Sequence, residues 1–170
     1  VDNDIIEDEV IVYYNEISTD DTKKRFVQNL ARAAEEAASF GVLLGLETME
    51  TEFLNTVNKG MKYVKAVGSP YLGMYPDIGN IRNATQDVTK DLKSGIGHIF
   101  AVHIKETQKG IFRNMHYGDG RVDFAELLPF LKKLGVCFFN AEFWYDEKYK
   151  NGDWLSALKE ANDFIRLILR

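Results

Sequence analysis

The sequence predicts an α/β fold, a (β/α) barrel of the TIM type, with residues 1–170 forming one incomplete barrel domain of about five βα units. Three observations predict it. Short apolar runs alternate with segments of 3.6-residue periodicity at intervals of about thirty residues. Four of those runs place a large residue, a small one and then a functional group on one face. The composition, 45% apolar with 3 Pro and 1 Cys, leaves no linker, low-complexity tract or disulfide framework. One buried core must therefore hold the chain.

The elements follow in order. A first strand is expected at Val10–Tyr14. Ser18 or Thr19 then caps a helix with Asp20 and Asp21 against its dipole, Phe26, Leu30, Ala34 and Ala37 on its stripe, and Gly41 as its stop. Val42–Glu47 is the second strand, and Leu54, Val57, Met61 and Val64 mark the next helix. Tyr71–Tyr75 follows, with a weaker polar helix over about Ala84–Ser94. Ile99–Ile104 precedes a helix carrying Phe124, Leu127, Leu128 and Leu131. Val136–Glu142 precedes the last, with Trp154, Leu158, Ala161, Ile165 and Ile168. Each strand is a near-continuous apolar run, as parallel strands covered on both faces are.

Strand chemistry favours a barrel over an open doubly wound sheet. Leu43, Gly45 and Glu47 share a face; so do Tyr71, Gly73, Tyr75 and Asp77; so do Ile99, Ala101, His103 and Lys105; and so do Phe138, Asn140 and Glu142. Residues converging on a barrel axis must share a limited volume at each level, which this layering satisfies. The opposite set, Leu44, Leu46, Leu72, Met74, Phe100, Val102, Phe139 and Ala141, is apolar and is expected under the helices.

Glu47, Asp77, His103 and Glu142 thus fall at the C-terminal ends of four successive strands, where parallel barrels build their active sites. Three converging carboxylates repel one another and are costly to desolvate, which implies bound protons or a divalent cation. Three oxygens and one imidazole suit Mn²⁺, Zn²⁺, Co²⁺ or Mg²⁺, and the lack of thiolate disfavours a structural zinc. A catalytic metal site is the simpler expectation. His98 precedes its strand and is read as structural, and Cys137 as a small hydrophobe opening a buried strand.

The stretches Leu46-Glu47-Thr48-Met49-Glu50-Thr51, Tyr75-Pro76-Asp77-Ile78-Gly79-Asn80, Gly95-Ile96-Gly97-His98-Ile99, Val102-His103-Ile104-Lys105-Glu106-Thr107 and Gly118-Asp119-Gly120-Arg121-Val122-Asp123-Phe124 carry a family likeness. From about Tyr13 onward the chain resembles the L-xylulose/L-ribulose 5-phosphate 3-epimerases, often labelled hexulose-6-phosphate isomerases, within the xylose isomerase-like barrel superfamily. The resemblance implies one divalent metal, Zn²⁺ or Mn²⁺ before Co²⁺ or Mg²⁺, held by Glu47, Asp77, His103 and Glu142. It also implies that Glu47 and Glu142 act as the acid/base pair, exchanging the C3 proton of a ketopentose phosphate on opposite faces through an enediolate. The residues Lys105 to Gly120 form a long loop, basic in its middle, and Lys105, Lys109, Arg113, Asn114 and His116 are its candidate substrate contacts.

Barrels of this family have eight units, and the likeness begins near the fourth strand. Open strand edges are then expected, with a homo-oligomer or a complementing N-terminal half as partner beside the phosphorylated ketose. Two other functions stay open: an aldose–ketose sugar-phosphate isomerase on the same barrel, and a non-catalytic metal-binding fragment. A net charge of −5 without a basic stripe argues against nucleic acid and so against apurinic endonuclease chemistry. The longest apolar runs are too short for a membrane span, and with no targeting signal a cytoplasmic location is expected.

Overall fold

The structure, a computed structural model, describes residues 19–143 and 153–170. The strand expected at Val10–Tyr14 lies outside them. The described elements are α1 (Asp20–Ser39), β1 (Leu44–Glu47), α2 (Val57–Val67), β2 (Leu72–Tyr75), α3 (Ile78–Ala84), α4 (Val88–Lys93), β3 (Val102–Ile104), α5 (Phe124–Lys133), β4 (Phe139–Ala141) and α6 (Trp154–Leu169). Among the described residues, no helix is long and apolar enough to cross a membrane.

Local chemistry sets the helix ends. The Thr19 side chain accepts from Thr22 N at 3.2 Å and opens α1, and Gly41 takes φ 68° just beyond its end. Of the polar helix expected over Ala84–Ser94, the structure forms α4, and α3, capped by the Asp77 side chain, precedes it as a helix not expected from the sequence. Thr85 ends α3 in extended backbone, and the Asp87 side chain accepts from Lys90 N to start α4. Capping by Asp87 thus starts the expected helix at Val88, later than its pattern suggests. Asp91 of α4 reaches across to α2, where its carboxylate accepts from Val57 N at 2.7 Å and Asn58 N at 3.1 Å.

The strands are parallel. β1 pairs with β2 through Leu44↔Leu72 to Glu47↔Tyr75, and β3 with β4 through Val102↔Phe139 to Ile104↔Ala141. Between the two pairs run single bridges, Met74↔Ile99 and Asp77↔His103, so the spatial order follows the sequence. The helix side forms the core, with Leu72, Met74, Val102 and Ile104 packed among Ile78, Ile81, Leu92, Leu128 and Leu131. The inner face is open among the described residues, with Leu43 at 55% and Phe138 at 72% exposure.

Two expectations about the strands are corrected. From Met74 to Asp77 is three steps, whereas from Ile99 to His103 is four, so the strand entering β3 carries one extra residue. Such an insertion reverses which side chains face inward. Ile99 accordingly packs against the helix-side core, while the Phe100 ring lies where a Cβ on Gly73 would point, 2.7 Å from that position. This exchanges the faces expected for Ile99 and Phe100. Cys137 is exposed, because β4 begins only at Phe139 and the preceding segment lies outside the ladder.

Candidate metal centre

The four strand ends deliver the expected quartet. One ligand atom from each of Glu47, Asp77, His103 and Glu142 lies within 4.8 Å of all the others. His103 Nδ1 is at the centre, 2.6 Å from Glu47 Oε1 and 3.1 Å from Glu142 Oε2, so two carboxylates share one ring nitrogen. The Tyr75 ring packs against the imidazole with centroids 4.2 Å apart.

A buried hydrogen-bond knot fixes the ends of β1 and β2. Thr48 Oγ1 accepts from Asp77 N at 2.8 Å and donates to Asp77 O at 3.2 Å, which ties the residue after Glu47 to the second acid. Asn80 Nδ2 donates to Thr48 O at 2.8 Å, and Asn80 N donates to Asp77 Oδ1 at 2.9 Å. Asp77 thereby spends one oxygen capping α3. Its other oxygen, Oδ2, is buried with no hydrogen-bond partner.

That oxygen, without a hydrogen bond though 3.7 Å from Lys105 Nζ, is the test of whether the site suits a cation. A buried carboxylate oxygen without a donor is costly, and a divalent ion held by Glu47, Asp77, His103 and Glu142 would satisfy it. Three hard oxygens and one imidazole make a donor set suited to Mn²⁺, Zn²⁺, Co²⁺ or Mg²⁺. The residues fit the ion.

Electrostatics separates the acids. Burial pushes the Asp77 carboxyl up to about 7 despite the Lys105 ammonium. The hydrogen bond from His103 holds Glu142 down to about 2 against burial, with Lys105 assisting. Burial alone lowers His103, but the flanking Glu142 and Glu47 carboxylates outweigh it and raise the imidazole to about 9.

Of the expected substrate contacts, Lys105 belongs to this cluster. It is 4% exposed, with Nζ 3.0 Å from Glu142 Oε1. Arg113 is exposed, with Nε 3.5 Å from Glu50 Oε1, and Glu50 in turn lies 3.6 Å from Lys105 Nζ. Lys109 and Asn114 are exposed on the loop, Asn114 with φ 59°, and His116 is half-buried.

Sequence reasoning missed the groups that shape this loop. Glu106 is 3% exposed and accepts three backbone N–H groups, from Thr107 at 3.0 Å, Val122 at 3.1 Å and Gly118 at 2.8 Å. The Tyr117 hydroxyl lies 2.6 Å from Ile104 O and 3.0 Å from Glu142 O, placing it between the ends of β3 and β4. Backbone partners leave no trace in a side-chain pattern. The one signal was the acid at position 106, two residues past the end of β3.

Residues 8–168 match the family described as the xylose isomerase-like TIM barrel. The chain belongs to this family. Within the xylose isomerase-like barrels it is 36% identical over 154 residues to the L-ribulose-5-phosphate 3-epimerase UlaE of Escherichia coli, covering 86% of this chain and 54% of that protein. A solved L-ribulose 3-epimerase superposes with a TM-score of 0.76 at 26% identity, over 91% of this chain and 56% of that one. D-allulose 3-epimerase from Methylomonas sp. superposes with a TM-score of 0.78 at 21% identity over 89% and 57%, a likeness of fold alone. The chain spans about half the length of the curated relatives it matches.

Proposed function

We propose that this chain carries the metal-binding and acid/base part of a 3-epimerase that interconverts L-xylulose 5-phosphate and L-ribulose 5-phosphate. The observation that carries the proposal is the placement of Glu47 and Glu142, from separate strands, at 2.6 and 3.1 Å from one nitrogen of His103, beside a buried Asp77 oxygen that lacks a hydrogen bond. Epimerisation at C3 needs one base to take the proton next to the C2 carbonyl and one acid to return a proton on the opposite face. Two glutamates from separated strands meet that demand, one taking the proton from C3 and the other delivering its own. Glu47, Asp77, His103 and Glu142 hold a divalent ion, Zn²⁺ or Mn²⁺ before Co²⁺ or Mg²⁺. When bound, that ion would supply positive charge that favours the enolised form of the substrate.

Lys109, Arg113, Asn114 and His116 are proposed to meet the substrate phosphate. Supporting this, the half-exposed Arg113 brings its guanidinium to the edge of the cluster, with Nε 3.5 Å from Glu50 Oε1. The open inner face supports a partner, either a second copy of the chain or a complementing N-terminal half. The exposed thiol of Cys137 suits a cytoplasmic location, and the described residues fit one domain of the barrel.

The test is isotope exchange in ²H₂O, using the chain with Mn²⁺ and L-xylulose 5-phosphate. The proposal expects one deuteron at C3, lost in Glu142→Gln. Exchange at C1 without C3 would favour the aldose–ketose isomerase. Metal binding without any exchange would leave a metal-binding fragment and overturn the epimerase assignment for this chain.

A further inference from the structure

Lys105 is a lysine whose head does not reach solvent. Its side chain is 5% exposed, with Nζ 3.0 Å from Glu142 Oε1, 3.6 Å from Glu50 Oε1 and 3.7 Å from Asp77 Oδ2. In that position the ammonium faces carboxylates instead of standing free for a substrate phosphate. Burying an ammonium is costly unless anions surround it, and the carboxylates carry the mirror-image cost. Each offsets the other here.

Two details say what the lysine does. The oxygens of Glu142 are divided, Oε1 toward Lys105 and Oε2 toward His103 Nδ1, so only Oε2 is directed at the quartet. The charges are also matched. Glu47, Asp77 and Glu142 bring three negative charges, Lys105 brings one positive, and Glu50 is offset by Arg113 at 3.5 Å. With the imidazole neutral and all three acids ionised, the state that metal binding requires, the remainder equals the charge of one divalent ion.

We infer that Lys105 is the resident counter-cation of the metal centre: by cancelling one carboxylate charge it keeps the cluster assembled without metal and matches it to a single divalent ion. The inference rests on the metal-binding reading above and replaces the substrate-contact role for this residue. It has a directional consequence. A fixed positive charge beside the site repels an incoming cation, so removing that charge while keeping a hydrogen-bond donor must tighten metal binding and loosen the metal-free protein. A lysine that merely held Glu142 in place would give weaker metal binding on removal.

The test uses the metal-stripped chain and Mn²⁺, with affinity and stoichiometry from titration calorimetry and melting followed in chelator. Lys105→Gln keeps a donor of similar reach without charge, and Lys105→Arg keeps the charge. Wild type and Lys105→Arg should bind one Mn²⁺ per chain. Lys105→Gln should bind its ion about tenfold more tightly at low salt, the gap narrowing at 1 M salt, and should melt several degrees lower in chelator. Equal or weaker Mn²⁺ binding by Lys105→Gln, or an unchanged melt, would overturn the assignment. Should Lys105→Gln not fold in chelator, the wild type decides alone: it should stay folded when stripped, and its unfolding would count against the counter-cation. Wild type that binds no Mn²⁺ overturns the inference together with the metal reading, whereas a wild type that binds beside an indifferent Lys105→Gln overturns the inference only.

Discussion

Asp77 stands opposite His103 across the junction of β2 and β3, one residue out of step with the Met74↔Ile99 bridge that precedes it. The extra residue lies between Ile99 and His103, and it turns His103 toward the acids while Ile99 stays with the core. Without it, the imidazole and Ile99 would share a face. The bulge is therefore part of how the quartet is assembled.

Gly73 makes the bulge possible. A Cβ there would lie 2.4 Å from His98 O and 2.7 Å from the Phe100 ring, with His98 held by Met74 N at 2.7 Å and Phe100 N donating to Met74 O at 3.0 Å. Gly73→Ala should destabilise the chain by about 1–3 kcal/mol, the range for overpacking, measured by urea unfolding. A neutral substitution would mean that Phe100 does not lie over Gly73.

The Asp91 carboxylate caps α2 from another helix, through Val57 N and Asn58 N. Burial raises its carboxyl, yet two backbone donors lose their partner when it is removed. Asp91→Ala should cost about 1–2 kcal/mol, as loss of a helix cap does, while Asp91→Asn should retain part of it. Equal stability of all three proteins would contradict the tertiary cap.

Glu106 latches the loop that follows β3. Its Oε2 takes Gly118 N while Oε1 takes Thr107 N and Val122 N. Glu106→Gln turns an amide nitrogen toward at least one of these donors, a loss of about 2 kcal/mol. Amide hydrogen exchange at Gly118 and Val122 should accelerate in the variant, with α2 protected as before. Uniform acceleration would point to global destabilisation instead.

The pH dependence of the metal-free chain follows from three signs. His103 is raised to about 9, so its charge stabilises the fold below about 6.5 and the contribution is lost as pH rises through 9. Asp77, raised to about 7, holds a proton that the unfolded chain has already released, so stability also falls as pH rises toward 7. Glu142, lowered to about 2, contributes above about 4.5 and is lost only on acidification toward 2. The urea midpoint in chelator should therefore fall between pH 5 and 9. Mn²⁺ should reverse that trend, since binding requires an unprotonated nitrogen and carboxylates. A midpoint that rises over the same interval in chelator would contradict these assignments.

Much of the site was legible because strand periodicity is local. The parity that placed Glu47, Asp77, His103 and Glu142 on one face holds over the last residues of each strand, where the quartet lies. It fails at Ile99 and Phe100, because a bulge is a relation between two strands and no single strand records it. The short helix α3 was missed because Asp77, read as a site acid at a strand end, also caps it through Asn80 N, and a second cap at Asp87 delays the expected helix to Val88. Alternation places Lys105 on the face of His103 but does not give its depth, and the structure buries it. Glu106 and Tyr117 escaped notice because their partners are backbone atoms brought close by the loop.

The central claim is that Glu47, Asp77, His103 and Glu142 hold one divalent ion. Calorimetric titration of the metal-stripped chain with Mn²⁺ tests it most directly, with Asp77→Asn and His103→Gln alongside. The account predicts one saturable equivalent per chain, weakened at least tenfold in each variant, for loss of a first ligand costs no less than loss of the groups that orient it. No saturable binding, or binding that survives both substitutions intact, would contradict it.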